Sequence, residues 1–176
     1  QNFSNTDKSY RGVMRLGCET TTQDVEGDII ARKDCSDITE EQFESVKGGL
    51  VGRIWQTPPM VSAVKKNGKR LYKLARKGQT VEREPREITV HRFATKAFKL
   101  PDVEFEVDCS KGTYVRTLCD DIGKELTCGA YLKALRRTAV GDFQVEQAYT
   151  TDELKSWERE DLLKHIMPLD KIVELL

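Results

Sequence analysis

Residues 109–143 read CSKGTYVRTLCDDIGKELTCGAYLKALRRTAVGDF, and a change of period at their start decides the architecture. Just upstream, Val103, Phe105, Val107 and Cys109 alternate with Glu104, Glu106 and Asp108, which is the period of a strand with one buried and one wet face. After Gly112 the period lengthens, and Val115, Leu118, Cys119, Ile122 and Leu126 fall on one helical stripe. The chain therefore passes from a strand through a tight turn into a helix, and such a turn presents side chains at the mouth of a sheet. Tyr114 and Arg116 stand at that mouth. An arginine at the start of a helix is repelled by the positive end of the helix dipole, by a few tenths of a kcal/mol or more, so an anion is expected beside it. Tyr114 offers a flat face and a phenol, which suits stacking on a base drawn out of its helix. A core tyrosine next to a surface arginine explains the same ten residues equally well.

Outward from this segment, Glu87–Phe98, Val103–Cys109 and Leu132–Phe143 have the composition of strands. Lys8–Gly17 and Asp28–Lys33 are expected to pair as one antiparallel hairpin across the turn signals at Asp24 and Gly27. Thr39 with Gln42 forms a capping-box pattern, and Phe43, Val46 and Leu50 keep helical spacing, so a helix is expected over about Glu40–Gly48. Gln56-Thr57-Pro58-Pro59 breaks regular structure, and Gly68–Gly78 then holds a short basic helix with Leu71, Leu74 and Ala75 on one side. Thr150 and Glu153 cap a last helix that runs to about His165. Strands and helices are interspersed without the regular alternation of a doubly wound sheet. The expected class is α+β, a mixed and mostly antiparallel sheet flanked by helices.

Hydrophobic residues at 38% and charged residues at 33% describe a polar but globular chain, and no apolar run nears the roughly 20 residues of a membrane span. The formal charge is zero but segregated: Glu19–Glu44 carries nine acids against Arg32 and Lys33. Lys65, Lys66, Lys69, Arg70, Lys73, Arg76 and Lys77 follow one another with no acid between them, enough for a local positive field that phosphates would feel. A solvated helix face is the plainer reading of such a run taken alone. The five cysteines show no CxxC spacing, and His91 and His165 are isolated. No metal and no organic cofactor is expected. With no basic-then-apolar leader pattern either, a reduced intracellular protein is expected, in the cytoplasm or, for a eukaryotic source, in an organelle. The first methionine is Met14, so the natural chain is expected to extend upstream.

Three stretches carry a resemblance. Residues 109–143 resemble the closing catalytic motif of TruB-type tRNA pseudouridine synthases. QTPPMVSAVKKNGKRLYKLARKG, from Gln56, resembles the insertion with which that family grips the tRNA T-arm. DKSYRGVMRLGCETTTQDVEG, from Asp7, resembles its KxY, LG and TxTxD elements. The likeness implies that Tyr10 packs on the flipped uridine, that Tyr114 is stacking partner and proton acceptor, and that Arg116 pairs with the catalytic carboxylate. It implies further that Leu135 lines the nucleoside pocket, and that Lys65, Lys66, Lys69, Arg70, Lys73, Arg76 and Arg136 meet RNA. Arg136 and Arg137 would reach phosphates or support the sheet. The implied reaction isomerises a T-loop uridine of tRNA to pseudouridine.

The departure from the pattern is as informative. The family's nucleophilic Asp lies in a GTLDP-type motif, and no such string occurs in these 176 residues. Neither Asp24 nor the Asp120–Asp121 pair matches it. The chain is thus expected to be part of one catalytic domain, residues 1–176, with the basic insertion at about 56–86 and no small C-terminal RNA-binding domain. Arg116 would face the place of the missing Asp, and an unpartnered buried guanidinium costs on the order of 3–5 kcal/mol. An N-terminal half, in the same polypeptide or on another chain, is therefore the expected partner besides tRNA, and the 176 residues alone are expected to be inactive. A catalytically inactive RNA-binding subunit of a larger ribonucleoprotein is the competing expectation.

Overall fold

The computed structural model describes residues 5–66, 68–168 and 171–172. Its centre is a six-stranded antiparallel sheet. In chain order its strands are β1 (Lys8–Leu16), β4 (Gly52–Gln56), β7 (Arg86–Lys99), β8 (Asp102–Cys109), β9 (Ala130–Val140) and β10 (Phe143–Gln144). Across the sheet the order is β10-β9-β1-β8-β7-β4. Two small hairpins stand apart from it, β2 (Cys18–Thr20) with β3 (Ile29–Arg32), and β5 (Lys65–Lys66) with β6 (Lys69–Arg70). The helices are α1 (Glu40–Gly48), α2 (Leu71–Ala75), α3 (Val115–Glu125), α4 (Thr151–Ser156) and α5 (Arg159–His165). The mixed α+β class with a mostly antiparallel sheet is as the sequence indicates.

The alternation in β8 sorts its side chains as expected. Val103, Phe105, Val107 and Cys109 are fully buried, and Glu106 and Asp108 lie on the other face in ion pairs with Arg11 and Arg92. The helical stripe of α3 covers the apolar face, with Val115, Leu118, Cys119 and Ile122 joining Met14, Leu16, Phe43, Val90 and Phe105 in one core. Two glycines make room for this packing. A Cβ on Gly12 would stand 2.5 Å from the Phe105 ring of the neighbouring strand, and one on Gly123 would stand 2.1 Å from the Ala130 amide. A side chain at Gly12 would displace the buried Phe105 ring, and one at Gly123 would push α3 off β9.

Helix α1 has the expected bounds, and both halves of its Thr39–Gln42 capping box are formed. Other expectations need correction. Residues 29–32 pair with β2 and not with β1, because β1 lies inside the sheet with β8 on one side and β9 on the other. An element already paired on both edges has no free amides for a third partner. The strand expected over Leu132–Phe143 is β9, which begins two residues earlier and ends three earlier, at the Gly141 turn with φ +53°. The last helix is two helices, broken at Trp157, whose extended backbone (φ −84°, ψ 140°) cannot continue α4. β4 escapes a periodicity reading because its five residues, GRIWQ, alternate too briefly to register.

Candidate active site

Tyr114 is the last extended residue before α3, so its ring projects where strand gives way to helix. Its backbone is clamped from β4. The buried Gln56 side-chain carbonyl accepts from the Tyr114 N–H at 2.8 Å, and its amide donates to the Tyr114 carbonyl at 3.1 Å. Arg116 lies two residues on, in the first turn of α3, with its guanidinium 6.0 Å from the centre of the Tyr114 ring. That is the outer range of a cation–π contact.

The anion expected beside Arg116 is present within the chain. Asp24 Oδ2 accepts from Arg116 Nη1 at 2.7 Å, and the Val61 carbonyl accepts from Nη2. The two side chains are only 18% and 21% exposed, so each needs the other. Asp24 arrives on the turn between β2 and β3, which is stitched to β9 by Val25 N–H to Leu132 C=O at 3.1 Å and Leu132 N–H to Gln23 C=O at 3.0 Å. Gln23, at φ +65°, spends its side chain on α3, accepting from the Thr117 hydroxyl at 2.8 Å and donating to Asp120 at 2.6 Å. A non-glycine residue held at positive φ implies that its surroundings over-determine it, and these two bonds do so. Arg116 is therefore not left unpartnered, and the stability argument for a second half of the domain falls away.

Tyr10 comes from β1, opposite Arg137 of β9. The Arg137 guanidinium lies 5.9 Å from the centre of the Tyr10 ring. Burial pushes the Tyr10 phenol up, and Arg137 only partly draws it back, so the ring is neutral at physiological pH. Leu135, on the same stretch of β9, is 44% exposed. Together Tyr10, Asp24, Tyr114, Arg116, Leu132 and Leu135 line one open cavity of about 390 Å³. Glu26 and Lys133 also line it, so its chemistry is two phenols, an apolar floor and charged groups of both signs, which suits a flat polar heterocycle that stacks on a ring and hydrogen-bonds at its edge.

The seven cations of the insertion lie apart from this cavity, on the β5–β6 hairpin, α2 and the turn that follows it. Lys65, Lys69, Arg70, Lys73 and Lys77 are exposed, Lys66 donates to the Glu82 carbonyl, and Arg76 lies over the Tyr72 ring. Arg136 is exposed on β9. Gln56 and Gln23, which hold the site together, carry no signal in the sequence, because a glutamine has no periodic or chemical signature until its partners are known. The TxTxD spacing was the one available signal for Asp24.

Comparison with known proteins identifies the family and the fold. The model of the TruB family pseudouridylate synthase (N terminal domain) matches residues 1–115, and that of the tRNA pseudouridylate synthase B C-terminal domain matches residues 116–174. The tRNA pseudouridine synthase B of Burkholderia mallei (strain NCTC 10247) is 47% identical over 173 residues, 98% of this chain and 57% of the relative. That of Opitutus terrae is 42% identical over 169 residues, 96% of this chain and 70% of the relative. This chain thus spans little more than half the length of the Burkholderia protein. Among solved structures, a Cbf5-Nop10-Gar1 complex matches with a TM-score of 0.71 at 28% identity, over 98% of this chain and 44% of that one. An H/ACA RNP bound to a substrate RNA containing 2'-deoxyuridine shares the fold, with a TM-score of 0.65 at 22% identity, over 100% and 44%. With both family models matched and these identities, the chain belongs to the TruB family of pseudouridylate synthases.

Proposed function

We propose that this chain takes part in converting a uridine of the tRNA T-loop to pseudouridine, and that it supplies the uridine pocket and the RNA grip. The observation that carries the reading is the joint lining of one cavity by Tyr10, Tyr114, Leu135 and the Asp24–Arg116 pair. Extruding a base costs a few kcal/mol, and stacking on two phenol rings offsets that cost. The cations from Lys65 to Lys77 and Arg136 add a phosphate grip that is indifferent to sequence. The curated relatives named tRNA pseudouridine synthase B support tRNA as the substrate.

The nucleophilic carboxylate is proposed to come from a segment outside these 176 residues, since the GTLDP-type motif is absent. Asp24 does not exclude such a partner. A guanidinium has five N–H donors, and Asp24 and Val61 engage one nitrogen each, which leaves donors for a second acid. No metal or organic cofactor enters this reading, and the cytoplasm is its proposed location.

Tritium release from T-arm RNA labelled at uridine C5 tests the proposal with the full-length natural protein. Release by the wild type, reduced at least 100-fold by Arg116→Ala, is expected. Tight RNA binding without any release would instead favour a non-catalytic RNA-binding subunit.

A further inference from the structure

The Asp24 carboxylate is fixed to its own turn before it reaches Arg116. Its Oδ1 accepts from the Thr22 hydroxyl at 2.5 Å and from the Glu26 N–H at 3.2 Å, which leaves Oδ2 for the guanidinium. Where that carboxylate stands relative to α3 therefore depends on what fixes the turn to the helix. Backbone bonds at Gln23 and Val25 tie the turn to β9. Apart from the ion pair itself, the Gln23 side chain is the hydrogen-bonded link from this turn to α3 among the described residues.

That side chain is matched to the two groups it meets. Thr117 and Asp120 stand three residues apart on α3 and so share one face, beginning one position after Arg116. Both are buried. The Gln23 amide carbonyl accepts from the Thr117 hydroxyl at 2.8 Å, and the amide nitrogen donates to Asp120 Oδ2 at 2.6 Å. An ionised aspartate only accepts, so the amide has one orientation here. Lys124 donates to the same oxygen at 2.6 Å and keeps Asp120 paired. Glutamate at position 23 would instead set a second carboxylate against Asp120. A turn with φ +65° is most easily made by glycine, so a glutamine that holds two buried groups there marks its side chain as the reason for the residue.

We propose that Gln23 is a positioning residue for the reaction: by gripping Thr117 and Asp120 it sets Asp24 against Arg116, and so aims the remaining donors of the guanidinium into the cavity. The inference rests on the uridine reading of that cavity. Gln23 is not among the residues that line it, and the phosphate grip of the insertion lies elsewhere. Its loss therefore acts on the rate of the chemical step and not on the capture of RNA. A displacement of about 1 Å at a reacting group costs on the order of 100-fold in rate.

The test measures single-turnover tritium release and the dissociation constant for T-arm RNA with the full-length protein, as wild type, Gln23→Gly and Gln23→Glu. Glycine accepts φ +65° without strain, so Gln23→Gly removes the grip and keeps the turn. Its rate is expected to fall at least about tenfold, with RNA affinity within about twofold of the wild type. The charged groups that face position 23 are Asp120 and Lys124 of α3, with Asp121 and Glu19 acting on Lys124 and the Asp24–Arg116 pair alongside; β9 meets it through the Leu132 backbone. Two carboxylates at the Gln23–Asp120 spacing share one proton, so in Gln23→Glu the protonated pair restores the grip and the ionised pair breaks it. The Gln23→Glu rate, as a ratio to the wild type at the same pH, should therefore approach one at about pH 5 and fall towards about pH 8. A wild-type rate in Gln23→Gly, or a loss of rate matched by an equal loss of affinity, overturns the positioning role. Should Gln23→Gly not fold, the glutamate variant decides, and a ratio that does not change with pH overturns the role. No release by the wild type removes the uridine reading itself, and this role with it.

Discussion

Asp24 and Arg116 are 92 positions apart in the chain and joined by a hydrogen bond of 2.7 Å. Three parts of the chain meet at this pair, since Asp24 comes from the β2–β3 turn, Arg116 from α3, and the Val61 carbonyl that completes it from the insertion. Removing one partner of a fully buried pair costs about 3–5 kcal/mol, and exposure near one fifth lowers that here. Asp24→Ala should cost about 2–3 kcal/mol in denaturant unfolding. Combined with Arg116→Ala it should cost less than the sum, with a coupling of about 1–3 kcal/mol. Additive losses would mean that the pair contributes nothing.

Gln56 gives a second prediction. The Tyr114 carbonyl also accepts from the Thr117 and Leu118 amides, so Gln56→Ala chiefly orphans the Tyr114 N–H. A loss of about 1–3 kcal/mol in thermal or denaturant unfolding is expected. RNA affinity should fall further than stability alone explains, because the ring of Tyr114 loses its fixed base. A variant that unfolds more easily yet binds RNA as the wild type does would uncouple Gln56 from the site.

Burial, followed by the neighbouring charge of Asp120, pushes the Asp121 carboxyl above its ordinary value. A carboxyl raised on folding favours the folded state when protonated, below its unfolded value near 3.9, and disfavours it once pH rises through the folded value. At pH 7 Asp121→Asn should therefore melt higher than the wild type. The difference should vanish as pH falls below about 4, where both side chains are neutral. A lower melting temperature for Asp121→Asn at pH 7 would contradict the assignment.

For the insertion, Lys65, Lys66, Lys69 and Arg70 changed together to Ala should weaken RNA binding across sequences. The slope of log affinity against log salt should flatten by about one for each phosphate that the variant no longer neutralises. Lys66, engaged with the Glu82 carbonyl, should contribute least when changed singly. An unchanged slope would remove the phosphate role of this hairpin.

How far the sequence carried varied with the physics of each part. The alternation of β8, the stripe of α3 and the capping box of α1 were legible because burial and capping act within a few residues. Tyr10, Tyr114, Arg116 and Leu135 were legible through family likeness, and the fold does gather them around one cavity. The partner of Arg116 was not, because the bridge between Asp24 and Leu132 closes across a long stretch of chain and leaves no local pattern. The neighbours of β1 were hidden for the same reason: its alternation marks a strand but not which strands flank it.

The most direct measurement is a cycle of base removal and ring removal at the Tyr10–Tyr114 cavity. The full-length protein, wild type and Tyr10→Leu, is titrated with T-arm hairpins that carry either the target uridine or an abasic site in its place. If the uridine sits between Tyr10 and Tyr114, loss of the base should weaken wild-type binding by about tenfold and weaken Tyr10→Leu much less. An equal penalty in both proteins would mean that the base never meets the Tyr10 ring, and would contradict the uridine pocket.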